Sequence, residues 1–402
     1  MKLFNADRYS IALAFLLACC VSALLYATST MSIGYTEALI YFDKNGLLHI
    51  LTNISTVIFG QNDIALRLPF ILFYISSTWL LYQITKKYFI DRFDQFISVA
   101  IFMLLPGVLS SALMVNESII VIFCVLLYLH LYEKKQVHNY ILLVLFVFID
   151  NSFAIFFLAL FFYSLKQKNN ILLSVSLSLF ALSMYLYGFD TGGRPKGYFI
   201  DVLGIYASIF SPLVFMYFFY AQYRFSIKGR HNIYWYISIT ALAFSLLLSI
   251  RQKIAIEDFA PYVVISIPFM VRLFLHSLRV RLPRFQKKHL ITAYFSLGIL
   301  LLTSLGILFH KPVYMFLEKP QKHFAYNYHH AKQIAQKLHD LKINNVYSAN
   351  KKLIKRLQFY GIKQGFDYAI TINHRDSYAH HFTIDYNQHK ILDIFVTKLN
   401  IN

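Results

Sequence analysis

Two carboxylates, Glu37 and Asp43, lie six residues apart directly after the first long apolar segment of the chain. A carboxylate beside a bilayer can deprotonate an acceptor hydroxyl or hold a divalent cation. The same two acids could instead contact lipid head groups without doing any chemistry. The elements that position Glu37 and Asp43 therefore decide between a reactive site and a surface loop.

The chain as a whole is too apolar for an ordinary soluble enzyme. Of its 402 residues, 58% are hydrophobic and 14% are charged, whereas soluble domains are about 45–50% apolar and about 25% charged. Long apolar segments follow one another up to residue 309, and a full membrane crossing needs ~20 such residues. We expect a mainly α, polytopic membrane protein of about eleven transmembrane helices.

The basic residues are distributed unequally between alternate loops. With the amino terminus inside, eighteen Lys and Arg residues before residue 310 fall on the cytoplasmic side and six on the other. The six are Lys44, Arg67, Arg194, Lys196, Arg251 and Lys253. This is the positive-inside pattern, so it predicts a cytoplasmic amino terminus. It also accounts for much of the net charge of +19 without nucleic acid as a partner.

The carboxyl-terminal part differs in composition from the rest. Residues 310–402 hold nine of the 15 histidines and 14 of the 38 Lys and Arg residues. Its helix-like segments are 331–341 and 351–359, and its strand-like segments are 346–347, 368–372, 382–386 and 391–396. We expect two domains, a transmembrane domain over 1–309 and a soluble α/β domain over 310–402. An odd number of spans puts the second domain on the same side as Glu37.

Two further features allow more than one interpretation. Asp150 separates two short apolar halves, so it is either a functional intramembrane acid or the outer tip of a hairpin. The histidine pairs His329-His330 and His380-His381 could bind metal. Adjacent residues on a helix or strand point in different directions, which favours packing or surface roles for them.

The first outer loop carries three short motifs, Tyr41–Lys44, Phe59-Gly60 and Ala65–Pro69. In order and roughly in spacing, they resemble motifs of the C-type glycosyltransferases, a family of membrane enzymes. The similar members are the protein O-mannosyltransferases and the bacterial lipid A aminoarabinose transferases. The chain departs from the pattern at Thr36, where the family has the first acid of an Asp-Glu pair, and at Asn45-Gly46, which replaces two prolines.

The resemblance implies a C-type glycosyltransferase fold and an inverting sugar transferase in a bacterial inner membrane. Its donor would be a polyprenyl-phosphate-linked sugar, and its acceptor a lipid such as lipid A, a glycan or a protein, reached at the periplasmic face. Glu37 and Asp43 would act as base or metal ligand, with Glu117 as a further acid. The cations expected to bind the donor phosphate are Arg67, Lys44, Arg194 and Arg251. The cofactor is unknown, and a divalent cation is the candidate.

Two other functions fit parts of the sequence. A transporter or flippase would show internal repeats and charged or broken helices at the bilayer midplane, and the sequence has no internal repeat. A non-catalytic scaffold would keep the fold and lose the chemistry. Thr36, in place of the first family acid, is the observation that favours the scaffold.

Overall fold

The structure is a computed structural model that describes residues 2–43, 46–188, 197–229, 231–372, 378–387 and 389–399. Its contacts divide the chain into two compact units. Unit 1 comprises Met1–Val21, Phe70–Ala112 and Asn116–Ser304. Unit 2 comprises Ser22–Pro69, Leu113–Val115 and Leu305–Asn402. The first outer loop thus belongs to the same unit as the carboxyl-terminal module, whereas we had assigned that loop to a domain over 1–309.

The described chain is mainly helical. Its first helices are α1 (Lys2–Thr30), α2 (Tyr35–Phe42), α3 (Leu47–Phe59), α4 (Asp63–Tyr88), α5 (Arg92–Met103), α6 (Pro106–Leu113), α7 (Ser118–Lys135), α8 (Tyr140–Val147) and α9 (Phe153–Gln167). The following helices are α10 (Asn170–Tyr187), α11 (Phe199–Phe210), α12 (Pro212–Lys228), α13 (Ile233–Ser249), α14 (Ala260–Val264), α15 (Ile267–Val280), α16 (Pro283–Leu308), α17 (Ala331–Asp340) and α18 (Lys351–Gln358).

The membrane-spanning character that we expected is present, but the count of eleven spans is not confirmed. Within the described residues, five helical segments are long and apolar enough to cross a membrane: Arg8–Thr30, α4, α10, Ala260–Val280 and α16. The pairs α5–α6 and α11–α12 bend by 52° and 106°, and they raise the number to seven if each pair is one span. Other expected spans are shorter helices, such as α8 with eight residues.

Local sequence explains where several helices begin. The side chains of Asn139, Asn169, Asn232 and Asn350 accept hydrogen bonds from backbone N–H groups in the first turns of α8, α10, α13 and α18. Such a cap stabilises a helix by about 1 kcal/mol. Between α11 and α12, Ser211 has a φ of +69° and precedes a proline. This positive φ interrupts the apolar run that we expected to be one span.

Asp150 lies in the turn that joins α8 to α9. Its Oδ2 accepts a hydrogen bond from the backbone N–H of Ser152 at 3.1 Å. Asp150 is therefore at the tip of a helical hairpin, which was one of the two interpretations of the sequence.

The carboxyl-terminal part of unit 2 carries a four-stranded sheet in the order β1-β2-β4-β3. The strands are β1 (Asn345–Tyr347), β2 (Lys363–Thr371), β3 (His380–Tyr386) and β4 (His389–Lys398). β1 and β2 are parallel and are joined through α18, whereas β4 is antiparallel to both β2 and β3. The apolar faces of α17 and α18 pack with the strands around Ile334, Leu338, Leu357, Ile370 and Val396. The expected small α/β fold is confirmed.

Candidate active site

Glu37 and Arg67 form a fully buried ion pair in unit 2. The Arg67 Nη2 donates to Glu37 Oε2 at 2.6 Å, and Arg67 Nε donates to Oε1 at 3.2 Å. Glu37 is 1% exposed and Arg67 is 0% exposed. The backbone N–H groups of Gly34 and Val115 also donate to this carboxylate, at 2.8 and 3.1 Å. Because a carboxylate has about four acceptor positions, Glu37 has none left for an acceptor hydroxyl.

The local sequence explains this geometry. Gly34 caps the amino end of α2, and Glu37 is the third helical residue, so its side chain turns back to the cap as in a capping box. The missing side chain at residue 34 is also required, because a Cβ there would lie 2.5 Å from the ring of Tyr328. Arg67 lies one turn after Asp63 on α4, so both face the same side of that helix.

Asp63 is the centre of a second buried ionic group. It is 2% exposed, its Oδ2 pairs with Lys332 Nζ at 2.8 Å, and its Oδ1 accepts from the Tyr360 hydroxyl at 2.5 Å. The backbone N–H of Ile33 donates to the same hydroxyl at 2.8 Å. Burial, together with the negative charge of Asp63, raises the pKa of Tyr360 above its ordinary value. The start of α4 is therefore held by residues from the carboxyl-terminal module.

A second buried arginine, Arg356, holds the same loop. Its Nε donates to the backbone oxygen of Ile33 at 2.9 Å, and its Nη2 donates to Ser32 Oγ at 3.3 Å. Arg67 Nη2 also binds Ser32, through the backbone oxygen at 3.0 Å. Burial lowers the pKa of Arg356, and Tyr360 and Glu37 partly oppose that effect. Two guanidinium groups thus fix the segment that leads into Glu37.

Thr36, the residue that departs from the family pattern, lines a cavity of about 360 Å³ within unit 2. We call it the Thr36 cavity. Tyr35, Tyr328, Lys352 and Arg356 also line it, and Lys352 Nζ lies 5.6 Å from the centroid of the Tyr35 ring. Aromatic faces, amides and cations together are suited to a polar ligand with a ring-like apolar face.

Asp43 is half-exposed and pairs with Lys355 of α18, with 2.6 Å between Oδ1 and Nζ. Surface pairs of this kind contribute ~0–1 kcal/mol to stability, so the carboxylate is accessible at little cost. Asp43 lies on the same segment as Glu37, and both belong to unit 2.

Glu117 belongs to unit 1, where it is one of four carboxylates that we call the acidic group. These are Glu117, Asp150, Glu257 and Asp258. Burial, reinforced by repulsion from the other three members, raises the pKa of Asp258 to about 7. Ser118 Oγ donates to the backbone oxygen of Glu257 at 3.2 Å, which ties the start of α7 to the 256–258 turn. A carboxylate with a pKa near the working pH is suited to general base catalysis.

The cations that we expected to bind phosphate have different surroundings. Arg67 is buried against Glu37, whereas Arg251 is exposed in the segment that leads to the acidic group. Lys44 and Arg194 lie outside the described residues. Among the described residues, no group of three or more His, Cys, Asp or Glu side chains is arranged to hold a metal ion.

A chain of hydrogen-bonded histidines is present elsewhere in unit 2. His310 Nδ1 lies 2.7 Å from His329 Nε2, and His329 Nδ1 lies 2.7 Å from the Tyr314 hydroxyl. His330 is equally buried. Burial lowers the pKa of His310 to about 4 and that of His330 to about 3. The pair His329-His330 therefore has a packing role, as the sequence favoured.

These networks include residues that were not among our sequence-based candidates, such as Asp63, Arg356, Tyr360 and Asp258. Asp63 had a detectable signal, because it precedes Arg67 by four residues at the start of a helix. Asp258 follows Glu257 just before an apolar segment, but its burial could not be predicted from that position. Arg356 and Tyr360 contact partners about 300 residues away in sequence, which a single sequence does not reveal.

Comparison with known proteins gives a match in structure and none in sequence. No family profile matches the chain, and no curated protein matches it. The apo structure of ArnT from Cupriavidus metallidurans matches with a TM-score of 0.58 at 11% identity, over 96% of this chain and 98% of that one. The same protein bound to undecaprenyl phosphate matches with a TM-score of 0.58 at 11% identity, over 95% and 97%. The chain therefore has the C-type glycosyltransferase fold of ArnT, as the resemblance in its first outer loop had led us to expect.

Proposed function

We propose that this protein is an integral membrane glycosyltransferase of a bacterial inner membrane. It moves a sugar from a polyprenyl-phosphate-linked donor to a lipid, glycan or protein acceptor at the periplasmic face. The observation that carries the proposal is the match over nearly the whole chain to ArnT, a protein whose solved structures include one bound to undecaprenyl phosphate. The positive-inside distribution of Lys and Arg supports a cytoplasmic amino terminus.

The acidic group supplies the base in this proposal. The acceptor oxygen attacks the anomeric carbon, the bond from that carbon to the phosphate oxygen breaks, and the electron pair leaves with the polyprenyl phosphate. Asp258, whose pKa burial raises to about 7 with added repulsion from Asp150, Glu257 and Glu117, takes the acceptor proton. Asp43, half-exposed on the first outer loop, is the second candidate base.

Glu37 and Arg67 act as positioning residues. Their mutual pairing, the four donors on the carboxylate and the absence of solvent access support a structural role for both. The pair holds the first outer loop in one conformation, because breaking it would leave a buried charge without a partner. The donor phosphate would then be bound by another cation. Arg251, which is exposed, is the described candidate, and Lys44 and Arg194 are candidates that lie outside the described residues.

The Thr36 cavity is proposed to bind an anionic sugar, and it lies in the same unit as Asp43. Its aromatic side chains offer faces for a sugar ring, and Lys352 and Arg356 can pair with a phosphate or carboxylate on that sugar. The cavity has Thr36 where the related families carry an acid. An anionic sugar would be repelled by an acid at that position, so a neutral hydroxyl fits this class of ligand.

The test is deletion of the gene followed by mass spectrometry of lipid A and surface glycans. The proposal predicts loss of one sugar mass from a single class of molecule and its return when the wild-type gene is restored. Unchanged masses in every lipid and glycan fraction would exclude the activity.

A non-catalytic scaffold is the second candidate, because Thr36 replaces an acid and Glu37 has no free acceptor position. If the protein is a scaffold, deletion of its gene would still change the glycans, because its partner enzyme would lose the scaffold. Replacing both Asp258 with Asn and Glu117 with Gln would leave the glycans unchanged. The catalytic proposal predicts that the doubly substituted chain fails to restore the missing sugar.

A further inference from the structure

A cavity of about 690 Å³ lies within unit 1, and no member of the acidic group lines it. We call it the basic cavity. It is formed at the end of α4, the carboxyl-terminal half of α12, the start of α13 and the length of α15. These are the helix ends whose Lys and Arg residues the positive-inside rule assigns to the cytoplasm. The catalytic proposal makes no use of this cavity.

The charge of the basic cavity has one sign. Arg224, Lys228, Arg272 and Arg281 line it, and none of the described residues that line it is Asp or Glu. Within the described chain these four side chains form no ion pair. Arg279, two residues from Arg281, is by contrast neutralised by Asp91 and Asp94 at 3.0 and 2.6 Å. The four cations of the cavity thus lack acidic partners among the described residues, although the adjacent Arg279 has two. A cavity lined in this way is suited to an anion.

A second observation comes from a buried amide at the wall of the cavity. Gln222 is 3% exposed, and its Nε2 donates to Ser266 Oγ and Ser238 Oγ at 2.6 and 3.3 Å. Its Oε1 has no hydrogen-bond partner. A buried acceptor without a partner is unfavourable, so a ligand that carries a hydroxyl donor would stabilise this site.

Much of the remaining wall is apolar. Trp235, Phe225, Phe269, Leu273 and Val280 line the cavity between the cations. Tryptophan is typical of the membrane interface, where one end of the ring is apolar and the other is wet. A ligand that fills the cavity must therefore combine an anionic head with an apolar body.

From these contacts we propose that the basic cavity binds the head group of an anionic glycerophospholipid from the cytoplasmic leaflet. The phosphate diester pairs with Arg224, Arg272 and their neighbours, and a head-group hydroxyl donates to Gln222 Oε1. Phosphatidylglycerol has both features. Phosphatidylethanolamine carries an ammonium group that the four cations repel, so it should be excluded.

The test is native mass spectrometry of the purified full-length protein in detergent, titrated separately with phosphatidylglycerol, phosphatidylethanolamine and inorganic phosphate. Each cation near an anionic membrane contributes about 1 kcal/mol, so the double variant R224Q/R272Q should bind phosphatidylglycerol at least about tenfold more weakly. The matched control is K134Q/K135Q, which removes two charges at the end of α7 and outside the cavity. It should retain wild-type binding.

Three results would overturn the proposal. They are equal binding of phosphatidylglycerol and phosphatidylethanolamine, equal loss in R224Q/R272Q and K134Q/K135Q, and saturation by inorganic phosphate at the concentration that saturates with lipid. The last result would assign the cavity to a free anion. Thermal unfolding of each variant, compared with the wild type, separates loss of the site from loss of the fold.

Discussion

The guanidinium of Arg67 and the carboxylate of Glu37 meet in a two-point ion pair that solvent does not reach. The shorter contact is 2.6 Å, and both side chains are at most 1% exposed. In the sequence the two residues looked like separate catalytic and phosphate-binding candidates. Their pairing makes them parts of one structural contact. The candidates for the catalytic base are therefore Asp258, Glu117 and Asp43.

Glu37→Gln should destabilise the protein strongly, because it leaves Arg67 buried with no charged partner. Removal of one member of a buried pair costs about 3–5 kcal/mol. The double variant E37M/R67M, which removes both charges, should recover much of the loss. The measurement is thermal unfolding in detergent, with Asp201→Asn, an exposed acid at the start of α11, as the control. A Glu37→Gln protein as stable as the Asp201→Asn protein would contradict the structural role.

Gly34→Ala tests the close approach of the first outer loop to Tyr328. An added Cβ would lie 2.5 Å from that ring, so the loop or the ring must move and the unfolding temperature should fall by several degrees. Gly204→Ala is the matched control, because nothing lies within 4 Å of its Cβ position. Alanine also has the higher helix propensity by about 1 kcal/mol. Gly204→Ala should therefore be neutral or stabilising, and equal effects of the two changes would contradict the observed packing.

The buried histidines predict that stability falls as the pH falls. The pKa of His310 is lowered to about 4 and that of His330 to about 3. In the unfolded chain both histidines have the ordinary pKa of about 6.5. Below that pH the unfolded chain therefore binds more protons than the folded chain. The stabilisation is complete above pH ~6.5 and is lost between that value and about 3. Unfolding temperatures measured from pH 8 to pH 4 should show this decline.

A substitution within the histidine chain should weaken this pH dependence. His329→Gln keeps a hydrogen-bonding side chain next to His310 but cannot take up a proton, so its unfolding temperature should vary less with pH. His389→Gln, at an exposed position on β4, should leave the dependence unchanged. A wild-type stability that is constant from pH 7 to pH 5 would refute the assignment.

Asp258→Asn should stabilise the fold at the same time as it removes activity. The pKa of this carboxyl is raised to about 7, so the folded chain holds a proton that the unfolded chain releases above about pH 4. Stability is therefore lost as the pH rises through 7. The asparagine variant should unfold at a higher temperature than the wild type at pH 8 and at a similar one at pH 4. A lower unfolding temperature at pH 8 would show that Asp258 is ionised and well paired.

Thr36→Asp tests whether the catalytic base belongs at residue 36 or elsewhere in the protein. If the base does not belong at residue 36, an acid there adds nothing and repels an anionic ligand in the Thr36 cavity, so sugar transfer should fall severalfold. Thr36→Asn, which is similar in size but uncharged, should have a smaller effect. If the chain has lost its base at this position, Thr36→Asp should instead raise transfer. Surface-glycan mass spectra of complemented cells report either outcome.

The fold class was predictable from this sequence because membrane insertion leaves strong local signals. Apolar length identified a multi-pass chain, and the motifs at Tyr41–Lys44 and Ala65–Pro69 indicated the fold family. The number of spans was not predictable in this way. The sequence of an apolar segment does not show whether its helix is continuous or broken. The segment that contains Ser211 is broken at that residue.

The candidate site was predictable only in part, for a physical reason. Sequence places an acid beside a membrane segment, but burial and pairing decide what that acid can do. Glu37 is saturated by donors from Arg67 and from two backbone N–H groups, and no local pattern shows that. Burial raises the pKa of Asp258, and Asp150, Glu257 and Glu117 add to that effect by repulsion. The local sequence shows neither the burial nor the approach of Asp150 and Glu117.

The most direct test of the catalytic proposal is complementation of a deletion strain followed by mass spectrometry of its lipid A and surface glycans. We predict that the wild type and the Asp201→Asn control restore the missing sugar to the same extent. Asp258→Asn, expressed at the same level and folded, should restore less than about one hundredth of it, since general base catalysis contributes roughly 100-fold or more. Full restoration by Asp258→Asn would contradict the assignment of the base to the acidic group.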